Sequence, residues 1–308
     1  MFKIGIIGNG SQSKRIQKIL KKKKFKFFIY KPKGPSYFDK KEFEILKKCK
    51  IIFIISNNKT HFKYLKKLNK SRYIFCEKPP CINIKDLRSI SKMKSGRIFF
   101  NFNFRFSFLS RVLSNLKNFK LGELLSINSY MAHGLAFKRE YKTNWRSKRS
   151  ENKLGVLEML LIHNIDLVNY IFKIKKPYSI NLKNFSKIGD SFDTCNVNYS
   201  LNNGGTANFF GSYSSPYYKK NLFIFKNGYV EQNEKKIEIR GPAMNLDKKG
   251  LFIKPKLLKS YRLNEKKDYE LSLKNSVDYF LKYSLINKKF PKQMFKSSID
   301  TNYLLFVK

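Results

Sequence analysis

Acidic residues are scarce: 21 Asp plus Glu face 65 Lys plus Arg in 308 residues, a formal net charge of +44. Such a field attracts nucleic acid, anionic membrane or phosphorylated ligands. The excess is spread through every segment, mostly as lysine, beside abundant Asn, Ile, Phe and Tyr, a mixture that AT-rich coding favours. It reads as a solvated lysine surface, with a polyanion-binding surface and attraction of an anionic ligand as the alternatives. No basic stretch carries a finger, ribonucleoprotein or zipper pattern, so no specific nucleic acid is expected. Cysteine is scarce too. Cys49, Cys76, Cys81 and Cys195 show no paired metal spacing, so no metal site is expected, and buried thiols in a reducing, cytoplasmic setting fit them. No run reaches the roughly 18 apolar residues of a membrane span, which argues against membrane insertion. Met1-Phe-Lys-Ile-Gly5 runs at once into a strand, leaving no room for a signal peptide. Long low-complexity tracts and internal repeats are missing as well.

What is present is enough for a substantial core: 42% of the residues are apolar, and the length suits two domains better than one. The stretch Tyr73-Ile-Phe-Cys-Glu-Lys-Pro-Pro80 stands out. An apolar strand ends in an adjacent acid and base, and two prolines stop it. Proline biases the residue before it toward an extended conformation. Lys78 is thereby set at the carboxyl end of a strand, where open α/β sheets bind ligands. A charged turn after a buried strand is the plainer alternative.

The surrounding pattern alternates strand and helix. Phe2–Ile7 reads as a buried strand, followed by Gly8-Asn-Gly-Ser-Gln-Ser13 and a helix over Arg15–Lys24. Gly8 suits a tight turn, Gly10 lets a pyrophosphate approach the backbone, and the helix amino terminus faces the anion. Ser13 stands where a third glycine is usual. A second strand, Phe25–Tyr30, leads to Lys31 and Lys33. No acid stands at the strand end to hold a ribose diol, Asp39 being further along; the lysines tilt the reading slightly from NAD toward NADP. A short helix over Phe38–Lys48 and a strand over Ile51–Ile55 precede Ser56-Asn-Asn-Lys-Thr-His61, a polar end that can meet a cofactor. His61 can equally be structural. The strand Tyr73–Cys76, a helix over Ile84–Met93 and a strand around Arg97–Phe104 complete βα units in a mostly parallel sheet.

Phe2-Lys-Ile-Gly-Ile-Ile-Gly-Asn-Gly10, Asn58-Lys-Thr-His61 and Cys76-Glu-Lys-Pro79 occur in the order of a Gfo/Idh/MocA-type oxidoreductase, the glucose–fructose oxidoreductase and inositol dehydrogenase family, and the chain resembles that family over nearly its whole length. The resemblance implies a Rossmann-type dinucleotide-binding domain, residues 1–119. It implies a second α/β domain with a large, mostly antiparallel open sheet, residues 120–308, that binds substrate. This sheet is expected to carry a homo-oligomer interface, and the terminal helix to pack back on the first domain. The implied activity is NAD(P)-dependent hydride transfer to or from a sugar-like polyhydroxylated molecule, with Lys78 beside nicotinamide and substrate.

In the second half, Ser107–Phe119 suits a crossover helix and Leu121–Tyr130 a strand. Trp145-Arg146 lies in a region that approaches substrate in related enzymes; Arg146 can hold an acidic or phosphorylated group, or simply face solvent. Gly155–Tyr170 has the apolar periodicity of one long helix, with His163 and Asp166 on a shared face. His163 matches the family's active-site histidine. The acid four residues before it is replaced by Met159, and Glu158 points roughly 100° away on a regular helix. Strand–turn repeats follow from Tyr178 to Arg240, with edges near Leu251–Ile253 and Leu257–Tyr261. A helix over Asp268–Leu285 and a final helix capped at Ser297 end the pattern.

The candidate cofactor residues are therefore Gly8, Asn9, Gly10, Ser11, Ser13, Lys31, Ser56, Asn57, His61, Glu77 and Lys78. Candidate substrate residues are Lys78, Arg105, Trp145, Arg146, Met159 and His163, with Lys78 and His163 catalytic. Two rival readings remain: a catalytically weakened dinucleotide-binding regulator, motivated by Met159 and Ser13, and a nucleic-acid-binding protein, motivated by the charge.

Overall fold

The computed structural model describes residues 3–32, 40–69, 71–241 and 246–306. Phe2, Lys33, Phe38 and Asp39, which figure in the expectations above, lie outside these residues. The first half is β1 (Ile4–Ile7), α1 (Ser11–Lys22), β2 (Phe27–Tyr30), α2 (Lys40–Lys48), β3 (Ile51–Ile54), α3 (Asn58–Leu68), β4 (Tyr73–Glu77), α4 (Ile84–Ser91) and β5 (Ile98–Asn101). The strands are runs of β-branched and aromatic residues, and β1, β3, β4 and β5 are buried along their whole length. Both faces are therefore covered, as parallel sheets require. The strand order is β2-β1-β3-β4-β5, every pair parallel. The chain leaves β1 for β2 on one side and returns to β3 on the other. A crevice opens at the carboxyl ends of β1 and β3, the usual ligand position in such sheets.

After α5 (Phe108–Ser114) comes β6 (Leu124–Ala132), then a π turn over Leu157–Leu161 that leads directly into α6 (Ile162–Phe172). Seven strands follow: β7 (Ile174–Lys183), β8 (Thr194–Leu201), β9 (Thr206–Ser212), β10 (Tyr218–Phe225), β11 (Gly228–Gln232), β12 (Lys236–Arg240) and β13 (Leu257–Arg262). They join β6 in the order β13-β12-β11-β10-β6-β9-β8-β7. Only β6 and β9 run parallel; the other pairs are antiparallel. α6 lies on this sheet, with Phe172 packed 5.8 Å from Phe223 between ring centroids.

The last two helices, α7 (Glu265–Leu285) and α8 (Lys292–Tyr303), return to the first sheet. Phe280 of α7 sits 5.1 Å from Phe53 and 5.3 Å from Phe75, and Phe295 of α8 sits 5.6 Å from Phe100. Two expectations need correction. Residues 155–170 are not one regular helix, because the π turn interrupts them. Ser297 does not cap the final helix: α8 begins five residues earlier, after Pro291, and the Ser297 hydroxyl instead donates to Gln293 O at 2.7 Å within it.

Candidate active site

The crevice begins at Gly8. Its φ is +104°, and a Cβ there would stand 2.4 Å from Ile55 O, so the turn from β1 toward α1 passes against the end of β3 only as glycine. Gly10 precedes the first turn of α1. No side chain caps that turn, no acid lies in it, and a Cβ on Gly10 would meet nothing within 4 Å. Open backbone donors and open space are what a phosphate needs. Ser13 is buried and its hydroxyl donates to Gly8 O at 2.8 Å, so it ties helix to turn without facing the crevice. Asn9 accepts from Gln17 Nε2 at 3.1 Å. Ser11 lines the cavity below. Lys31 lies exposed beyond β2, away from the cavity lining.

At the end of β3, Ser56 Oγ and Thr60 Oγ1 share a 2.6 Å hydrogen bond, and Asn57 caps α3 by accepting from Lys59 N. His61 is fully buried between two carbonyls, Pro79 O at 2.7 Å from Nδ1 and Ser56 O at 3.0 Å from Nε2. Burial holds its pKa below the usual value. It fastens the β4 turn to the β3 turn.

At the end of β4, Glu77 accepts from Asn101 Nδ2 at 2.7 Å and from Gln12 Nε2 at 3.1 Å. One carboxylate thus links β4, β5 and the first turn of α1. Lys78 reaches across to the second half, where its Nζ donates to Met159 O at 2.6 Å. Burial lowers its pKa to about 8, with Glu77 and Glu158 opposing and Arg146 adding to the shift. A lysine in this range can take or give a proton near neutral pH.

The π turn forms the opposite wall. Met159 Sδ accepts from Asn58 Nδ2 at 3.0 Å. Glu158 is buried; its Oε1 accepts from Leu154 N at 3.2 Å, and Oε2 has no hydrogen-bond partner among the described residues. His163 stacks on Phe104 at 4.8 Å, and its Nδ1 also lacks a partner among the described residues. Burial and the nearby Lys78 charge push its pKa well below the usual value, so the imidazole is neutral. Arg146 lies over the Trp145 ring at 4.4 Å.

These groups surround a cavity of about 240 Å³ lined by Ser11, Gln12, Ser56, Asn58, Glu77, Lys78, Trp145, Arg146, Met159 and His163 among others. A second cavity of about 630 Å³ adjoins it, sharing Arg15, Met159, His163 and Tyr269 and adding Asn164, Lys219 and Gln232. Lys78 and His163 therefore converge from the two halves of the chain. Arg105 does not join them. Its guanidinium donates to both Asp166 oxygens, at 2.7 and 2.5 Å, and to Ser297 Oγ at 2.9 Å, with the pair sealed from solvent. Its placement among substrate residues is corrected accordingly: its donors are spent on the core.

Residues 111–242 match the GFO/IDH/MocA C-terminal domain. That stretch, less than half of the chain, is similar to the Gfo/Idh/MocA family. The glucose-6-phosphate 3-dehydrogenase of Bacillus subtilis (strain 168) is 30% identical over 136 residues, covering 42% of this chain and 39% of that protein. The match thus spans about two fifths of the relative's length. Among solved structures, an oxidoreductase from Agrobacterium radiobacter in complex with NAD+, L-tartaric acid and magnesium has a TM-score of 0.77 at 14% identity, over 99% of this chain and 94% of that one. Levoglucosan dehydrogenase in complex with NADH and levoglucosan has a TM-score of 0.74 at 12% identity, over 97% and 95%. A myo-inositol dehydrogenase from Corynebacterium glutamicum ATCC 13032 has a TM-score of 0.71 at 14% identity, over 99% and 94%. At these identities the likeness to solved structures is one of fold.

At Met159 the chain departs from the pattern of the family it resembles, and the structure shows what stands nearby. Glu158, set aside on the geometry of a regular helix, is a buried acid of the π turn, behind the residues that line the cavities. The residues singled out from the sequence also omitted Gln12 and Asn58, which lie inside the stretches flagged at strand ends, and Asn164 and Tyr269, which do not. Gln12 and Asn58 are the second and first residues of helices that begin at strand ends, a position that carries a signal. Asn164 and Tyr269 are brought in by tertiary packing alone, and no local pattern marks them.

Proposed function

We propose that this chain is an NAD(P)-dependent oxidoreductase acting on a sugar or related polyhydroxylated molecule. The first sheet, within residues 1–119, serves the dinucleotide; residues 120–308 serve the substrate and, through the eight-stranded sheet, a homo-oligomer. The observation that carries the reading is the convergence of Lys78 and His163 at one cavity, beside an uncapped helix terminus and the Gly8–Gly10 turn. The turn fits a pyrophosphate: Gly10 leaves open the space a side chain would fill. When bound, the nicotinamide supplies or accepts the hydride. The chain's own residues do the rest. Glu77 fixes the strand end that carries Lys78. Lys78 Nζ takes the hydroxyl proton in oxidation and returns it in reduction. Neutral His163 orients the same hydroxyl by hydrogen bonding. Arg146 offers a cation to an acidic or phosphorylated substituent, a class consistent with the sugar phosphate named for the Bacillus relative. Lys31 favours NADP over NAD slightly.

Lys78→Met tests this directly. The variant is expected to keep dinucleotide affinity within about threefold while turnover of its best sugar substrate falls roughly 10²–10⁴-fold. His163→Ala is expected to lose about tenfold or more. Because oxidation needs the free amine, its rate should climb as pH rises through about 8. Parental turnover in folded Lys78→Met excludes the reading.

A further inference from the structure

The π turn raises a question that the family pattern leaves open: what supplies negative charge beside Lys78 when position 159 is methionine. A π turn takes in one residue more than an α turn. The Ile162 N–H reaches back five residues to Leu157 O. Position 158, five before His163, therefore falls near where position 159 would stand in a regular helix. Glu158 is buried behind the Met159 that lines both cavities, beyond 4 Å ion-pair distance of Lys78, with one carboxylate oxygen unpartnered among the described residues. The Lys78 ammonium docks on the neighbouring carbonyl, Met159 O. π turns of this kind recur at functional sites.

We propose that Glu158 is the positioning carboxylate of Lys78, holding the ammonium against the π turn in place of the acid absent at position 159. The proposal rests on the oxidoreductase reading above. In oxidation the substrate carbon gives a hydride to the oxidised nicotinamide ring and its hydroxyl gives a proton to Lys78 Nζ, leaving a carbonyl. Above about pH 7 the ionised Glu158 steadies the new ammonium. The groups facing this pair are few. Glu77 supports the Lys78 charge and Arg146 opposes it; Lys153 and the Leu154 N–H support the Glu158 charge. Cys81, Tyr213 and His163 lie in the same field, and burial keeps each neutral near pH 7. Burial itself raises the Glu158 pKa to about 7, so at neutral pH its ionisation is sensitive to the Lys78 charge.

Glu158→Gln separates charge from structure, since glutamine still accepts from Leu154 N. With Lys78 intact, the alkaline limb of oxidation is expected to move down by about one pH unit, because an opposite charge no longer favours the ammonium. The plateau rate should fall about tenfold, with dinucleotide affinity and KM within about twofold. Adding Met159→Asp to Glu158→Gln should move the limb back. An independent readout is the carbon-13 titration of labelled glutamate carboxyls, with Glu158 assigned by its loss in Glu158→Gln. In Lys78→Met its midpoint should rise. An unmoved limb with a preserved plateau in Glu158→Gln, or an unchanged Glu158 midpoint in Lys78→Met, overturns the proposal while leaving the oxidoreductase reading intact. Full activity in Lys78→Met removes both.

Discussion

Two cations from the first half of the chain reach the same helical segment and meet opposite fates. Arg105 finds Asp166 on α6 in a two-pronged match, with Thr301 also donating to Asp166 Oδ1 at 2.9 Å. Every charged atom has a partner, and nothing is left to react. Lys78 finds a carbonyl at 2.6 Å and no ion pair within 4 Å, beside a π turn where one Glu158 oxygen and one His163 nitrogen lack partners among the described residues. A saturated ion pair fixes the join between the halves. An amine bonded to a carbonyl, with its pKa lowered by burial to about 8, stays near its switching point.

Substitutions at the two cations put this contrast at risk. Arg105→Ala should have the largest effect on the fold, about 3–5 kcal/mol lost in denaturant unfolding, because it strands a buried carboxylate. A loss below about 1 kcal/mol would dissolve the distinction. Lys78→Met should act in the opposite direction, raising stability at pH 7 by on the order of 1–2 kcal/mol after allowance for partial solvation. The sign follows from the lowered pKa. Between about 8 and the ordinary lysine value the unfolded chain binds more protons, so the parent gains stability as pH rises there, and the variant should show a flatter profile. Next, Gly8→Ala should cost about 1–3 kcal/mol from strain, while Gly10→Ala should leave the thermal midpoint unchanged and weaken dinucleotide binding about tenfold. Smallest is the surface pair Lys47–Glu44, at 2.6 Å but with side chains 45% and 60% exposed. Lys47→Ala should shift stability by less than about 0.5 kcal/mol.

The first sheet was legible because its signals are local. β1, β3 and β4 are short apolar runs, and each gives way to residues suited to a ligand edge, namely Gly8, Ser56 and Glu77-Lys78. Lys78 and His163, read from separate motifs, line one cavity. The second wall was less legible. Periodicity over residues 155–170 fits a regular helix, and nothing in Leu157-Glu-Met-Leu-Leu161 announces an extra residue in the turn; that depends on packing against β9. Arg105 misled for a related reason. An arginine just after a strand end looks available for a ligand, and only the fold discloses Asp166, 61 positions away, waiting for it.

The packing of α7 against the first sheet bears on how the chain is made. Phe53, Phe75 and Phe99 share one face, and Phe280 touches all three rings. A nascent chain ending at Asn101 has every strand of that sheet but leaves this aromatic face bare to solvent. Its cover arrives only when α7 leaves the ribosome, after the whole eight-stranded sheet. The first sheet is thus synthesised before the second and sealed after it. Fragments that stop before Glu265 should collect in inclusion bodies even though their Gly8–Gly10 turn and Lys78 are intact.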